Sequence, residues 1–321
     1  MTKVLVTGAS GFVGRILCSE LGRRGYKVRG AVRNLSRKSR LTCELVEIED
    51  LNSLTDWSSI LDGIDVVIHL AARVHLMHDD AVDPLAEFRK TNVEGTSKLA
   101  IAAATNGVKR LVFLSSIKVN GEQANESYPF TESDLPELLD PYAISKWEAE
   151  QVLRRVEHET GLEVVIIRPP LVYGAGVKAN FLHLMKVVDG GVPLPMGAID
   201  NHRSIIYVEN LVDALITCAR HHAAAGQTYL VSDGEPLSTP QLVRAMADAL
   251  HRPSRIFSIP LRVMRVIAKL AGKSAVVDRL TQSLVVDSSK ICNQLGWQPP
   301  FTTEQGLQAT AVWYADLKIR P

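Results

Sequence analysis

Three observations predict an α/β fold: a doubly wound parallel sheet with a smaller carboxyl-terminal domain. Short apolar runs of strand length recur at 4–7, 26–32, 43–48, 65–72, 111–116 and 164–168, several of them continuous in the manner of buried parallel strands. Helical patterns fall between them at 12–21, 87–106 and 142–157, which makes βαβ units. Three glycines, Gly8, Gly11 and Gly14, stand where the first strand runs into the first helix.

Composition sets the outer limits. A chain of 321 residues holds one large or two modest domains, and a hydrophobic fraction of 46% supplies a substantial core. A formal net charge of +1 gives no general reason to expect nucleic acid or an acidic membrane as partner. Cys18, Cys43, Cys218 and Cys292 lack metal-ligand or paired spacing, so free thiols in a reducing compartment are expected, and no metal. No signal-peptide pattern and no apolar run of membrane-spanning length is present, and a cytoplasmic location is the expectation.

The glycine turn has the chemistry of a phosphate cradle. Gly8 allows a sharp turn off the strand, Gly11 allows backbone to approach a pyrophosphate, and Gly14 lets the helix pack on the strand. The amino terminus of the helix then faces the anion. Gly22 and Gly25 end that helix, and the strand over 26–32 completes the first βαβ unit. Enzymes of this architecture that prefer NAD usually carry an acid at the end of that strand; here Arg33 occupies the place. With Arg29, Arg37, Lys38 and Arg40 nearby, it favours an anionic adenosine end and NADP(H), with NAD(H) and a merely solvated basic loop as alternatives.

The run 65–72 ends in small residues that let backbone approach a cofactor. His69 within it is expected to be a packed core histidine, since no second ligand shares its spacing, whereas Arg73 and His75 just past the strand end can meet substrate. The serines ending 111–116 emerge at the sheet edge where such folds hold ligands. Pro129, Pro136 and Pro141, with acidic neighbours, mark a loop lying over the site. Tyr142 and Lys146 then open a helix and, four apart, share one face of it. An unperturbed phenol titrates near about 10, and an adjacent ammonium favours the phenolate and pulls that value down. Ser116 can bond a substrate oxygen beside that acid.

The spacing from Thr7 to Gly14, the Asn92–Thr96 motif and the Tyr142–Lys146 pair resemble the extended branch of the short-chain dehydrogenase/reductase superfamily, the NAD-dependent epimerase/dehydratase type with a Rossmann sheet. The likeness continues through Arg168–Gly174, through Arg203–Leu211, where Ser204 and Tyr207 replace the usual Asp and His, and through the leucine-glycine-tryptophan ending at Trp297. It implies catalysis by Ser116, Tyr142 and Lys146. It further implies cofactor contacts at Gly8, Ser10, Gly11, Phe12, Val13, Gly14, Arg33, Asp50, Leu51, Leu70, Ala71, Ala72, Tyr142, Lys146 and Pro169. Asp50 is as well placed to start a helix as to sit by an adenine. Substrate contacts are implied at Arg73, Ser116, Lys118, Tyr142, Asn180, Arg203 and Arg279, the last two holding a UDP-sugar diphosphate through guanidinium forks. Asn92 is mainly architectural in relatives, and the helices around Asn92 and Ser145 pair between subunits in many of them, so a homodimer is implied.

The branch narrows the reaction. Nucleotide-sugar 4,6-dehydratases resemble one another in a Thr-Asp-Glu where this chain has Ser116, Ile117 and Lys118, so elimination of water lacks its carboxylate pair. Two reactions remain: reduction of a UDP-4-keto-6-deoxy-N-acetylhexosamine, as in bacterial surface-polysaccharide (lipopolysaccharide, O-antigen) synthesis, and 4-epimerisation of a UDP-hexose or UDP-N-acetylhexosamine with tightly bound NAD. Arg33 puts the reductase first. A noncatalytic dinucleotide sensor is the remote alternative. The expected organisation is a dinucleotide-binding domain over 1–170, rejoined at about 205–232, and a mainly substrate-binding domain over 171–321. Within the latter, 259–271 reads as a basic amphipathic helix; its apolar face is expected to pack on the small domain, although such helices also lie on membranes.

Overall fold

The computed structural model describes residues 1–35, 41, 43–74, 82–270, 272 and 274–319. Arg37, Lys38, Arg40 and His75 lie outside the described residues.

Seven parallel strands form the main sheet: β1 (Lys3–Thr7), β2 (Lys27–Val32), β3 (Glu44–Glu47), β4 (Val66–His69), β5 (Arg110–Leu114), β6 (Glu163–Arg168) and β9 (Thr228–Leu230). Their order is β3-β2-β1-β4-β5-β6-β9, so the chain direction across the sheet reverses between β1 and β4. That switch point is where a doubly wound sheet opens a crevice at its carboxyl edge. One face is covered by α1 (Phe12–Arg23) and α6 (Val208–Arg220), through Leu17, Leu21, Leu211 and Leu215. The other is covered by α3 (Gly95–Thr105) and α4 (Pro141–Thr160), through Leu99, Ala103, Ala149 and Leu153. Burial on both faces accounts for the continuous apolar strands.

Three local features of the elements bear on the site. The helix expected over 87–106 is divided into α2 (Pro84–Arg89), a π-helical turn at Lys90–Glu94, and α3. Asp83 caps α2 by accepting a hydrogen bond from Ala86 N at 3.0 Å, with Pro84 in the first turn. The extra residue of the π turn aims Asn92 inward, where it is 1% exposed. Asp50 does not start a helix; Asp50 O accepts from Thr55 Oγ1 at 2.5 Å in a succession of turns. Strand β8 (Ile205–Tyr207) pairs with β7 (Leu171–Tyr173) in a separate two-stranded sheet, and only β9 (Thr228–Leu230) rejoins the main one.

Around the small sheet, α5 (Ala179–Asp189), α7 (Thr239–Ala249) and α11 (Thr303–Ile319) share a core with Tyr173, Phe181, Met246 and Leu307. Helices α8 (Leu261–Leu270) and α9 (Ser274–Thr281) pack on each other, α9 held to the start of α7 by Thr239 Oγ1 donating to Leu280 O, and Ile291 and Leu295 of α10 (Ser289–Leu295) join the core that holds α1 and α6. The orientation of α8 corrects the packing expectation. Its inward residues are Met264 and Ala268, while Val263, Val266, Ile267 and Leu270 are 46%, 60%, 56% and 86% exposed.

Candidate active site

The glycine turn has the shape a dinucleotide needs. Gly8 has φ +68°, and a Cβ there would lie 2.9 Å from Ala71 N; one on Gly14 would lie 2.2 Å from Gly8 O, and one on Gly11 3.0 Å from the same oxygen. Only glycine fits such a packed turn, and it leaves backbone rather than side chains lining the concavity. Ser10 and Gly11 are exposed at its lip, Phe12 and Val13 are half-buried, and the first turn of α1 carries no acidic side chain to repel an anion. Leu70, Ala71 and Ala72 follow β4 on the far side of the crevice, and Arg33 stands exposed at the end of β2. Asp50 is exposed, while Leu51 is buried against Gly95, whose Cβ would come within 2.7 Å of it. Pro169 O accepts from Ile117 N at 3.0 Å, tying the end of β6 to the serine loop.

Side chains brace the floor of this crevice. Thr7 Oγ1 accepts from Leu70 N and Ala71 N at 3.2 Å each, so its hydroxyl proton is left to donate to His69 Nδ1 at 2.6 Å. His69 Nε2 then carries the ring proton and donates to Thr96 Oγ1 at 2.9 Å. Complete burial and the charge of Lys146 hold the imidazole down to about 3, which fixes it as the neutral core histidine expected.

Ser116, Tyr142 and Lys146 are brought together from β5 and α4. Asp140 caps α4, its Oδ1 accepting from Ala143 N at 2.7 Å, and Pro141 occupies the first turn, so Tyr142 and Lys146 lie on the turns nearest the sheet edge. Ser116 Oγ accepts from Lys118 N at 3.2 Å and hydrogen-bonds the Tyr142 phenol. Lys146 is 1% exposed; its Nζ donates to Leu114 O at 2.6 Å and lies 3.8 Å from the centre of the Phe113 ring. Burial brings the ammonium down to about 7, against the opposing charge of Glu150. The phenol moves contrary to the sequence expectation: burial, and then the charge of Asp140, push Tyr142 up to about 12, with the Ser116 bond opposing. Lys146 is turned to Leu114 and Phe113 and so does not draw the phenol down.

Two networks hold this cluster in place, one through Asn92, marked as architectural by its motif, and one missed from the sequence. Asn92 Oδ1 accepts from Arg73 N at 2.8 Å, and its Nδ2 donates to Arg73 O at 3.0 Å and to Ser145 Oγ at 2.9 Å, which clamps the chain after β4 to α4. The Arg73 guanidinium lies 5.6 Å from the Phe88 ring, which meets Tyr142 edge-on at 6.0 Å. Beneath them Glu150 accepts from Ser115 Oγ at 2.5 Å and from Arg168 Nη2 at 2.5 Å and Nε at 3.0 Å, and Arg168 Nη1 donates to Asn120 Oδ1 at 2.9 Å. The spacing of Glu150 four residues after Lys146 was the sole sequence signal for it.

The substrate side is more dispersed. Lys118 Nζ donates to Glu122 Oε1 at 2.9 Å and to Asp140 Oδ2. Arg203 Nη1 donates to Arg279 O at 2.9 Å and Gln282 O at 3.3 Å; burial lowers its guanidinium, and the charge of Glu122 opposes that. Arg279 is exposed on α9. Asn180 is exposed in the first turn of α5, and no described hydrogen bond or ion pair joins it to Ser116, Tyr142 or Lys146. Among the described residues no group of three or more His, Cys, Asp or Glu is arranged for a metal, and no helix is long and apolar enough to cross a membrane.

A parallel sheet with a glycine cradle at its switch point, and a serine, tyrosine and lysine meeting beside it, defines the class: an extended short-chain dehydrogenase/reductase. Within it the chain belongs to the NAD dependent epimerase/dehydratase family, whose description matches residues 4–232. It is 45% identical over 310 residues to a UDP-glucose 4-epimerase of Vibrio cholerae, covering 96% of this chain and 94% of that one. An N-acetyl-alpha-D-glucosaminyl-diphospho-ditrans,octacis-undecaprenol 4-epimerase of Escherichia coli O157:H7 is 31% identical over 326 residues, covering 96% and 93%. The fold is shared with a solved UDP-glucuronic acid 4-epimerase from Bacillus cereus in complex with NAD, at a TM-score of 0.80 and 21% identity, over 100% of this chain and 99% of that one.

Proposed function

We propose that the protein is a UDP-sugar 4-epimerase that works on a retained NAD. The observation that carries this is the 45% identity, nearly end to end, to the Vibrio cholerae UDP-glucose 4-epimerase, joined to a cluster of Ser116, Tyr142 and Lys146 beside a dinucleotide-shaped cradle. The preference drawn from Arg33, a 4-ketoreductase using NADP(H), gives way to the epimerase alternative. The solved relative holds NAD, and Arg33 stands exposed at the rim, where a solvated basic residue needs no phosphate partner. Reduction of a UDP-4-keto-6-deoxy-N-acetylhexosamine remains the second candidate on the strength of Arg33 alone.

Backbone of residues 8–14, with Leu70, the small Ala71 and Ala72, and Pro169, would line the dinucleotide, with Lys146 toward its nicotinamide end. Bound NAD supplies the hydride acceptor and donor at C4 of the sugar. Tyr142 Oη would take the proton from the C4 hydroxyl as that carbon is oxidised and give it back to O4 once the keto sugar has turned and C4 is reduced on its opposite face. Ser116, already bonded to Tyr142, holds O4 in line with that oxygen. Arg203 and Arg279 hold the diphosphate, and with Arg73, Lys118 and Asn180 bound the sugar nucleotide. Ile117 and Lys118 offer no carboxylate pair for eliminating water, which keeps the chemistry at C4. We assign residues 171–321 mainly to the substrate side, with α6 and β9 returning to the dinucleotide-binding domain, and infer a cytoplasmic homodimer paired through α3 and α4.

Purified protein is incubated with UDP-glucose and with UDP-N-acetylglucosamine, with no cofactor added. Formation of the galacto epimer from either is the expected result, and Tyr142→Phe lowers the rate by on the order of 10²–10⁴-fold while bound NAD is retained. No interconversion, together with NADPH consumption on a UDP-4-keto-6-deoxy-N-acetylhexosamine, would overturn the epimerase in favour of the reductase.

A further inference from the structure

Helix α8 faces the wrong way for a helix that only stabilises its domain. Four aliphatic residues, Val263, Val266, Ile267 and Leu270, have the spacing i, i+3, i+4, i+7 and fall within an arc of about 100° at helical periodicity. All four are exposed, while the side turned to the protein carries only Met264, Ala268 and the half-buried Leu261, against Ile199 and Val277. Core formation therefore uses the smaller part of the apolar surface this helix offers. Arg262, Arg265 and Lys269 fill the arc beside the aliphatic one, all exposed, and α8 contains no acidic residue. The next helix, α9, adds one acid and one base, Asp278 and Arg279, which leaves the local excess of three positive charges intact.

From this juxtaposition we infer that α8 docks the protein on an anionic membrane surface. The aliphatic arc enters the boundary between headgroups and acyl chains, and the arginine and lysine stems run along it so that their charges meet lipid phosphates. Charge decides among occupants. A second copy of the chain seated on α8 across a twofold axis would bring Arg262, Arg265 and Lys269 against the same three residues, which an apolar contact of this size would have to overcome. A sheet of anionic headgroups meets all three favourably. The orientation that follows puts α9, and with it the pair Arg279–Arg203, one helix away from the bilayer.

The test is sedimentation of the full chain with vesicles of phosphatidylglycerol and phosphatidylcholine, compared with phosphatidylcholine alone. Binding to the anionic vesicles at low salt, weakened at high salt, is expected. Replacing Arg262, Arg265 and Lys269 together by glutamine should weaken it by on the order of 100-fold, from about 1 kcal/mol per charge near such a surface. Val266→Glu with Ile267→Glu should also release the protein, and Val266→Trp should show a blue-shifted emission on anionic vesicles. All these positions are exposed, so an unchanged melting temperature verifies the fold of each variant. Wild-type protein that stays in solution with anionic vesicles overturns the inference, as does binding that both sets of substitutions leave unaltered. A dimer that the glutamates split, with no vesicle binding, overturns it in favour of a second copy. Epimerase assays on the same preparations are separate, since none of these residues lies at the catalytic cluster.

Discussion

At Tyr142 two neighbours compete for one proton. The Ser116 bond favours the phenolate, while burial and the Asp140 charge oppose it and leave the phenol at about 12. Asp140 is there for reasons of its own, as the cap of α4 and a partner of Lys118. Asparagine keeps the cap, since its side-chain oxygen accepts the same backbone bond. Asp140→Asn therefore removes a negative charge that disfavours the phenolate, lowers the Tyr142 value, and shifts the alkaline rise of turnover to lower pH; a pH–rate profile against wild type checks the direction. Ser116, Tyr142 and Lys146 were legible in the sequence because each lies at a strand end or at one helix face, within a local pattern. Their electrostatics were not, because what sets them is depth and company. The Lys146 ammonium finds Leu114 O thirty-two positions away, and Thr7 finds His69 across sixty-two. No spacing rule reaches that far.

Helix α4 is joined to β6 by a pair of a different kind from its surface contacts. Arg168 and Glu150 have side chains 5% and 2% exposed, whereas Arg89 and Glu148 are 47% and 30% exposed. A solvated pair contributes little, but one partner of a buried pair cannot be deleted without stranding the other charge. Arg168→Met should cost about 3–5 kcal/mol of stability in urea unfolding, and adding Glu150→Leu should recover most of that loss. Because Ser115 also leans on Glu150, the single variant should loosen the serine loop as well. Element positions were well read from periodicity, since strands buried on both faces and helices with a single buried stripe announce themselves. What periodicity hid was the π turn at Lys90–Glu94, across which the apolar pattern simply continues, and the outward face of α8, whose pattern is the same whether water, lipid or protein covers it.

On the scale of the molecule, pairing through α3 and α4 is the expected assembly. Ile101, 50% exposed on α3, would lie in such an interface. Sedimentation should give twice the mass of one 321-residue chain, and Ile101→Glu should return it to one. The same molecule shows how a crevice can be kept open at the edge of a sheet. The last residues of β1 and β4 are joined by their ladder, but Leu70 and Ala71 lie beyond it and hang from a single hydroxyl, Thr7 Oγ1. Two loop amides thereby have the kind of internal acceptor that a ladder would otherwise supply. In native-state hydrogen exchange they should keep their protons as long as Val67 and Ile68, and Thr7→Val should release those two alone to the solvent's clock.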